Sequence, residues 1–276
     1  ELLNPHLTEI SWYQNTGLPE NLRPFVYVEH DVCVLFATES KEQFLKIILN
    51  KYDSIDRSIN PKISLVEKRK IILKEFDYIY NLTVNDNDIK ILEKIQKFEP
   101  LSKRIQCHEG IHTRNIRDKL FINENSSDNC KPLYYGAGTG GDRISNYFSS
   151  RNGWYVDYRK EIVKEDKGEY ASLRDERIFK YPKIYITRTG NPFKAFLDEN
   201  SYASNNFFSL QFKNYEENNL DELKVILPFI ITKLSQYFIR KFAAPRLGNT
   251  FVETKIIHLL KMRIPSLTNA QKKKLV

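Results

Sequence analysis

The amino-acid sequence predicts an α+β protein with a helical N-terminal segment, a β-rich middle region and a C-terminal helical hairpin. Three observations carry this prediction. Apolar residues recur at helical spacing in three stretches of residues 1–100; from residue 101 short β-branched and aromatic runs alternate with Gly, Asn, Asp and Ser; an acidic-capped apolar helix pattern returns after residue 219. At 276 residues, with 41% apolar and 13% aromatic side chains, the chain has room for two domains and enough apolar surface to fold. The expected boundary lies near Pro100, giving a mainly helical segment 1–100 and a second domain 101–276.

In chain order, residues 25–28 and 32–36 read as short strands of a hairpin around Glu29, His30 and Asp31. Three helices are expected next. Residues 39–51 carry Phe44, Leu45, Ile47, Ile48 and Leu49; residues 64–80 carry Leu65, Ile71, Ile72, Phe76 and Ile79; residues 87–98 carry Ile89, Ile91, Leu92 and Ile95. Ser40 with Gln43 would cap the first, and Asn85 or Asn87 the third. Strands are expected at 120–122, 133–135, 154–158, 184–187 and 207–212. The last helical pattern has Asn219 as N-cap and Asp221 and Glu222 in its first turn. Its apolar positions are Leu223, Ile226, Leu227, Ile230, Ile231, Leu234 and Phe238, with Pro228 expected to kink or split it. No internal repeat is present.

Charge becomes informative once divided along the chain. Residues 1–100 carry 13 Lys and Arg against 16 Asp and Glu, whereas residues 101–276 carry 30 against 19. The second region is therefore the one suited to a phosphate backbone. Three widely spaced cysteines, Cys33, Cys107 and Cys130, fit a reducing compartment better than a disulfide framework, which points to the cytoplasm. No apolar run is long enough to span a bilayer, so no membrane partner is expected. A start without Met or a basic leader reads as a fragment of a longer protein.

The most informative motif is residues 110–121, GIHTRNIRDKLF, which packs small, polar and basic side chains into a turn-like run closed by two apolar anchors. Arg can bridge guanine O6 and N7, and Asn can pair with adenine N6 and N7, so His112, Thr113, Arg114 and Asn115 suit hydrogen bonding to bases, and Arg114, Asn115, Arg117 and Lys119, with Arg143 and Arg188, are expected to contact bases or phosphates. A Gly-rich loop follows at residues 136–141, and residues 182–190 form a strand that delivers Arg188 to a turn. Arg143, Arg151, Arg159, Lys160, Arg174, Arg177 and Lys183 recur among Tyr134, Tyr135, Tyr147, Trp154, Tyr155, Tyr158 and Tyr185, the mixture expected of a nucleic-acid surface.

Other chemistries fare worse. The Gly-rich loop imitates a nucleotide-binding turn if residues 142–148 form a helix, but no βαβ unit follows it. Residues 191–194, NPFK, lack the second proline and the aromatic of an adenine-methyltransferase motif and read as a turn. Cys107, His108 and His112 lack a fourth ligand at usual spacing, so no metal is expected. No Gly-x-Ser-x-Gly, His-Glu-x-x-His or Walker signature occurs.

From about residue 85 to residue 276 the chain resembles the target-recognition, or specificity, domain of N6-adenine DNA methyltransferases in type I and type II restriction-modification systems, fused enzymes included. The resemblance lies in the order of features: a lead-in helix at 88–98, the 110–121 loop, the Gly-rich segment through Tyr147, residues 179–190, residues 198–206, a helical pair through Phe242, and Arg263-Ile264-Pro265 before a final helix. It implies double-stranded DNA as partner, a separate methyltransferase catalytic domain in the parent chain, and S-adenosylmethionine as the parent's cofactor, with no cofactor and no catalytic residue in this fragment. The parent would be a site-specific DNA adenine methyltransferase, with or without endonuclease. The family often has Gly after the Thr of the first loop, where this chain has Arg114. The expected DNA-binding residues are His112, Thr113, Arg114, Asn115, Arg117, Lys119, Arg143 and Arg188. Two alternatives stand beside this: a complete methyltransferase holding S-adenosylmethionine in the 136–141 loop, and an interaction module docking a partner subunit through its C-terminal helices.

Overall fold

The computed structural model describes residues 6–13, 32–38, 45–52, 61–68, 72–73, 79–136, 141–215, 220–243 and 252–275. Both helices and sheets are present, so the fold is α+β. Among the described residues no helix is long and apolar enough to cross a membrane. The chain divides into two compact units, Glu1–Lys94 with Arg240–Thr250, and Ile95–Ile239 with Phe251–Val276.

The first unit is built on a sheet, which corrects the expectation of a helical N-terminal segment. Strands β1 (Leu7–Tyr13), β2 (Val32–Ala37), β3 (Lys46–Tyr52) and β4 (Lys62–Glu67) lie in the order β2-β1-β3-β4, with β1 parallel to β3 and the other pairs antiparallel. Within β3, Ile47 and Leu49 are buried while Ile48 is exposed, a period of two that an unbroken Ile-Ile-Leu run hides from a helical template. Core partners Leu7, Ile10 and Trp12 make the sheet the better burial for Ile47 and Leu49. The span expected as the second helix holds β4 and the short pair β5 (Ile72–Leu73) and β6 (Ile79–Tyr80). The strand expected at 32–36 is present as β2, paired with β1; the expected partner at 25–28, and the Ser40 and Gln43 cap, lie outside the described residues.

The third expected helix forms as α1 (Asp86–Ile95). Of its two candidate caps, Asn85 serves: its Oδ1 accepts from the N–H groups of Asn87 at 2.9 Å and Asp88 at 3.1 Å. Asp88 Oδ2 in turn accepts the Asn85 N–H at 2.8 Å, a reciprocal capping box.

In chain order the second unit opens with β7 (Glu99–Pro100), β8 (Ile105–Glu109), α2 (Arg117–Leu120), β9 (Phe121–Ile122), β10 (Cys130–Tyr134), β11 (Arg143–Ile144), β12 (Ser149–Ser150) and β13 (Tyr155–Asp157). It continues with α3 (Arg177–Lys180), β14 (Lys183–Thr187), β15 (Thr189–Gly190), β16 (Ala195–Asp198), β17 (Tyr202–Ala203) and β18 (Phe207–Phe212). It closes with α4 (Leu220–Ile230), α5 (Lys233–Phe238), β19 (Val252–Glu253), α6 (Ile256–Leu260), β20 (Arg263–Ile264) and α7 (Asn269–Lys272). The main sheet is antiparallel, in the order β16-β14-β18-β8; a second sheet runs β17-β10-β13-β9. All six residues of β18 are buried, so the main sheet is covered on both faces. Tyr134 of β10 packs with Tyr185, Phe196 and Phe207 of the main sheet and joins the two sheets.

The C-terminal helices depart from expectation in one place. α4 continues past Pro228 to Ile230, and the break falls at Ile231 and Thr232, where Thr232 Oγ1 accepts the Ser235 N–H at 3.1 Å and caps α5. The expected cap Asn219 lies outside the described residues. Leu223, Val225, Ile226, Leu227 and Ile230 are buried, and α4 packs on β14 and β16. That apolar face is consumed by the unit's own core.

Lys183 is fully buried within this core, its Nζ donating to Phe179 O at 2.7 Å, Tyr181 O at 3.0 Å and Asp198 Oδ1 at 3.1 Å. Burial lowers the pKa of its ammonium to about 8 against the pull of Asp198. In the unfolded chain a lysine titrates near ~10.4, so between these values the unfolded state binds the extra proton and folding becomes more favourable as pH rises. Relative to a Lys183→Met variant, the wild type should therefore gain stability from pH 8 to about 9.5, at up to ~1.4 kcal/mol per pH unit, in urea unfolding. A difference that stays flat over this range would show that Lys183 keeps its ordinary titration in the fold.

Candidate nucleic-acid interface

The register of the main sheet brings four loop-bearing positions to one end. Phe208 pairs with Glu109, Phe207 with Thr187, and Ile186 with Ala195, so the exit of β8, the exit of β14 and the starts of β16 and β18 lie side by side. The hairpin β11–β12 is fastened at the same end by a bridge between Tyr147 and Phe196. Residues 110–116, Arg188, Lys194 and Asn206 thus emerge together from a rigid buried scaffold.

Gly110 starts the first loop where its N–H meets Phe207 O at 3.1 Å. A Cβ there would fall 2.2 Å from Ser204 O, so only glycine fits this approach. The Ile111 N–H donates to Ala203 O at 2.8 Å, and His112 exchanges backbone bonds with Ser172 at 3.0 and 2.8 Å. Arg114 sits at φ 47, the left-handed region, with its side chain exposed. The position where the resembled family often has Gly therefore adopts here the backbone that glycine favours, at a cost of about 1 kcal/mol for an L-residue. Ile116, Leu120 and Phe121 then enter the core beside Leu133 and Val156.

Behind this loop stands Glu109. Its carboxylate accepts from His112 Nε2 at 3.0 Å, Arg174 Nη2 at 2.7 Å and Arg188 Nη1 at 3.3 Å. Partial burial raises the Glu109 carboxyl, but the hydrogen bond from His112 and the charges of Arg188 and Arg174 outweigh it and hold the group below the ordinary carboxylate range. Arg188 also reaches Glu253 Oε1 at 2.9 and 3.0 Å.

The other expected contacts divide sharply. Asn115 is a clip: its Nδ2 donates to Gly168 O and its Oδ1 accepts the Tyr170 N–H, both at 3.0 Å. Lys119 Nζ holds Glu169 Oε2 at 2.7 Å. Arg117 lies over the Tyr135 ring at 5.0 Å and bonds its hydroxyl, while Tyr135 stacks on Trp154 at 4.7 Å. Thr113 is half-buried and its carbonyl closes the turn to Ile116 at 3.0 Å. Of the eight expected residues, only Arg114 and Arg143 are exposed with a side chain that makes no hydrogen bond or ion pair to another described residue.

Residues 142–148, expected to form a helix in the nucleotide-turn reading, form instead the hairpin β11–β12, with Arg143 paired to Ser150 and Ile144 to Ser149. Ser145, Asn146 and Ser149 compete for backbone groups and favour a turn. Of the Gly-rich loop, Gly136 and Gly141 are described and residues 137–140 are not. Buried Asp142 closes its neck: Oδ2 accepts from the N–H groups of Tyr135 at 2.6 Å and Gly136 at 2.8 Å, and Oδ1 from Asn152 at 2.9 Å. The amides that would greet a cofactor phosphate at Tyr135 and Gly136 already hold a carboxylate.

Sequence reasoning missed Phe148, 82% exposed at the hairpin tip. It left Arg151 and Tyr147 among the general basic and aromatic residues, yet both belong to the same hairpin and both are exposed. Cys107 and His108 are successive residues of β8 and face opposite sides of the sheet, which separates two of the three residues considered for a metal. The NPFK segment is a turn with Phe193 buried.

No family model matches the chain, and no curated protein matches it.

Asp142 supplies a stability test of this end of the molecule. Asp142→Ala removes the acceptor of three backbone N–H groups, that of Gly136 buried and those of Tyr135 and Asn152 part-buried, and should cost about 3 kcal/mol in urea unfolding, with Asp142→Asn costing less because one amide oxygen remains. A loss below ~1 kcal/mol for the alanine variant would show that the neck is not held by this carboxylate.

Proposed function

We propose that the chain is a sequence-specific double-stranded DNA recognition module of a restriction-modification adenine methyltransferase, the catalytic domain being supplied elsewhere in the parent protein. The observation that carries this reading is that exposed Arg114, Arg143 and Arg151, with exposed Tyr147, Phe148 and Tyr170, lie on loops and a hairpin at one end of a buried sheet. Exposed guanidinium groups with no hydrogen bond or ion pair to another described residue, together with exposed aromatic side chains, suit a phosphate backbone and its bases. The excess of basic residues after residue 100 supports the same partner.

Within this reading the eight expected residues take two roles. Arg114 and Arg143 contact DNA directly. His112, Asn115, Arg117, Lys119 and Arg188 hold the loops in position through Glu109, Gly168, Tyr135, Glu169 and Glu253, while Thr113 closes the turn that presents Arg114. Within this reading S-adenosylmethionine is the cofactor of the parent's catalytic domain.

Selection from a randomised duplex library at two salt concentrations tests the reading, with enrichment of one short adenine-containing motif as the expected result. Arg114→Ala and Arg143→Ala should each lower affinity and reduce the salt slope by about 1, whereas Lys119→Ala, whose ammonium is already paired, should change the slope by less. Absence of both enrichment and salt-dependent binding would overturn the assignment.

A further inference from the structure

We infer that the β11–β12 hairpin is a wedge that inserts Phe148 into the base stack of a DNA duplex while Arg143 and Arg151 hold flanking phosphates. The inference rests on the DNA-binding reading of this surface and assigns one residue a distinct mechanical task within it.

The tip is exposed but not loose. Ser145 N–H donates to Ser149 Oγ at 3.1 Å, Ser149 Oγ returns to Ser145 O at 3.3 Å, and Ser145 Oγ bonds Phe148 O. The hairpin is then pinned to its neighbours: Tyr147 N–H to Ala195 O at 2.9 Å, Asn146 Oδ1 from the Ala195 N–H at 3.1 Å, Lys194 Nζ to Ile144 O at 2.8 Å, and Tyr134 Oη to Ser149 O at 3.0 Å. Tyr147 is held at φ 68, a conformation uncommon for a non-glycine residue, immediately before Phe148. A phenyl ring projected on a fixed stem meets the requirement for a wedge, since the work of opening a base step must be resisted by the protein.

The surroundings choose the occupant. Between Arg143 and Val156 the sequence has no acidic residue, and both arginines are exposed. The rest of the tip is Ser145, Asn146, Ser149 and Ser150, small polar groups that let a phosphate backbone approach closely. A protein-docking anchor sits instead in a contiguous apolar patch, and here Tyr147 is the single large apolar neighbour in the hairpin tip. Binding to a single strand uses successive aromatic platforms along a groove; Phe148 instead projects alone from the hairpin tip, far more exposed than Tyr147 beside it.

The test uses the full chain, the variants Phe148→Ala, Phe148→Trp and Arg143→Ala, and two duplexes of one sequence, fully paired or carrying a single central mismatch, with 2-aminopurine placed along the site. Phe148 is exposed and its removal leaves the hairpin's hydrogen bonds intact, so folding is not at stake. The wild type should bind the mismatched duplex about tenfold more tightly, because the unstacking is already done, and should brighten 2-aminopurine at one step. Phe148→Ala should lose both the preference and the brightening, Phe148→Trp should restore them, and Arg143→Ala should weaken both duplexes alike. Salt-dependent binding by wild type and Phe148→Ala with equal affinity, no mismatch preference and no brightening would overturn the wedge and leave DNA recognition standing. Absence of binding to either duplex at low salt would overturn both.

Discussion

The arrangement of loops at one end of the main sheet depends on Glu109. It is the last residue of β8, and its carboxylate collects His112 from the first loop, Arg174 from the segment that pairs with that loop, and Arg188 from the exit of β14. Three loops that share no sequence proximity are thereby bound to one anionic point at the rim of the sheet. Such a partly buried pair is screened less than a surface one, and the three donors compensate the cost of taking the carboxylate from water. Removing it would leave Arg174 and Arg188 in a crowded region without their shared acceptor, and the positions of Arg114 and the β14–β15 turn would lose a common reference.

This anchoring also decides which cations are paired among the described residues. Arg188 is divided between Glu109 and Glu253, Lys119 is held by Glu169, and Arg117 is engaged by Tyr135. Asn115 uses both ends of its amide on the segment from Gly168 to Tyr170. The basic residues therefore do two jobs, and the larger number organise the loops. A loop fixed in advance loses less conformational freedom on binding, and Arg114, which makes no hydrogen bond or ion pair to another described residue, sits on such a loop.

This division is where the sequence stops being legible. The residue types of the site stand out within residues 110–121, yet their partners lie far along the chain: Gly168 is 53 residues from Asn115, Glu169 is 50 from Lys119, and Glu109 is 79 from Arg188. Local pattern cannot tell a paired cation from a free one at such separations. The strands at 184–187 and 207–212 are legible because turn-forming residues bracket β-branched and aromatic runs, and α1 because Asn85 and Asp88 form a capping box. The helices expected at 39–51 and 64–80 fail because Ile-Ile-Leu and Ile-Ser-Leu-Val satisfy a helical stripe and a strand equally, and sheet neighbours decide between them. Phe148 carries no local signal, because an aromatic beside serine reads as core until its exposure is known.

The described residues with positive φ other than glycine are Arg114, Tyr147 and Arg174, and all three lie at this end of the sheet. Arg114 tops the first loop, Tyr147 immediately precedes the hairpin tip, and Arg174 binds Glu109. Each conformation costs on the order of 1–3 kcal/mol and persists only where surrounding contacts over-determine it. Glycine or asparagine would meet the backbone requirement at lower cost. Arg174 uses its side chain to complete the Glu109 anchor, Tyr147 is fastened through its backbone N–H and carbonyl to Ala195 and Leu197, and Arg114 holds an exposed charge that nothing else among the described residues neutralises.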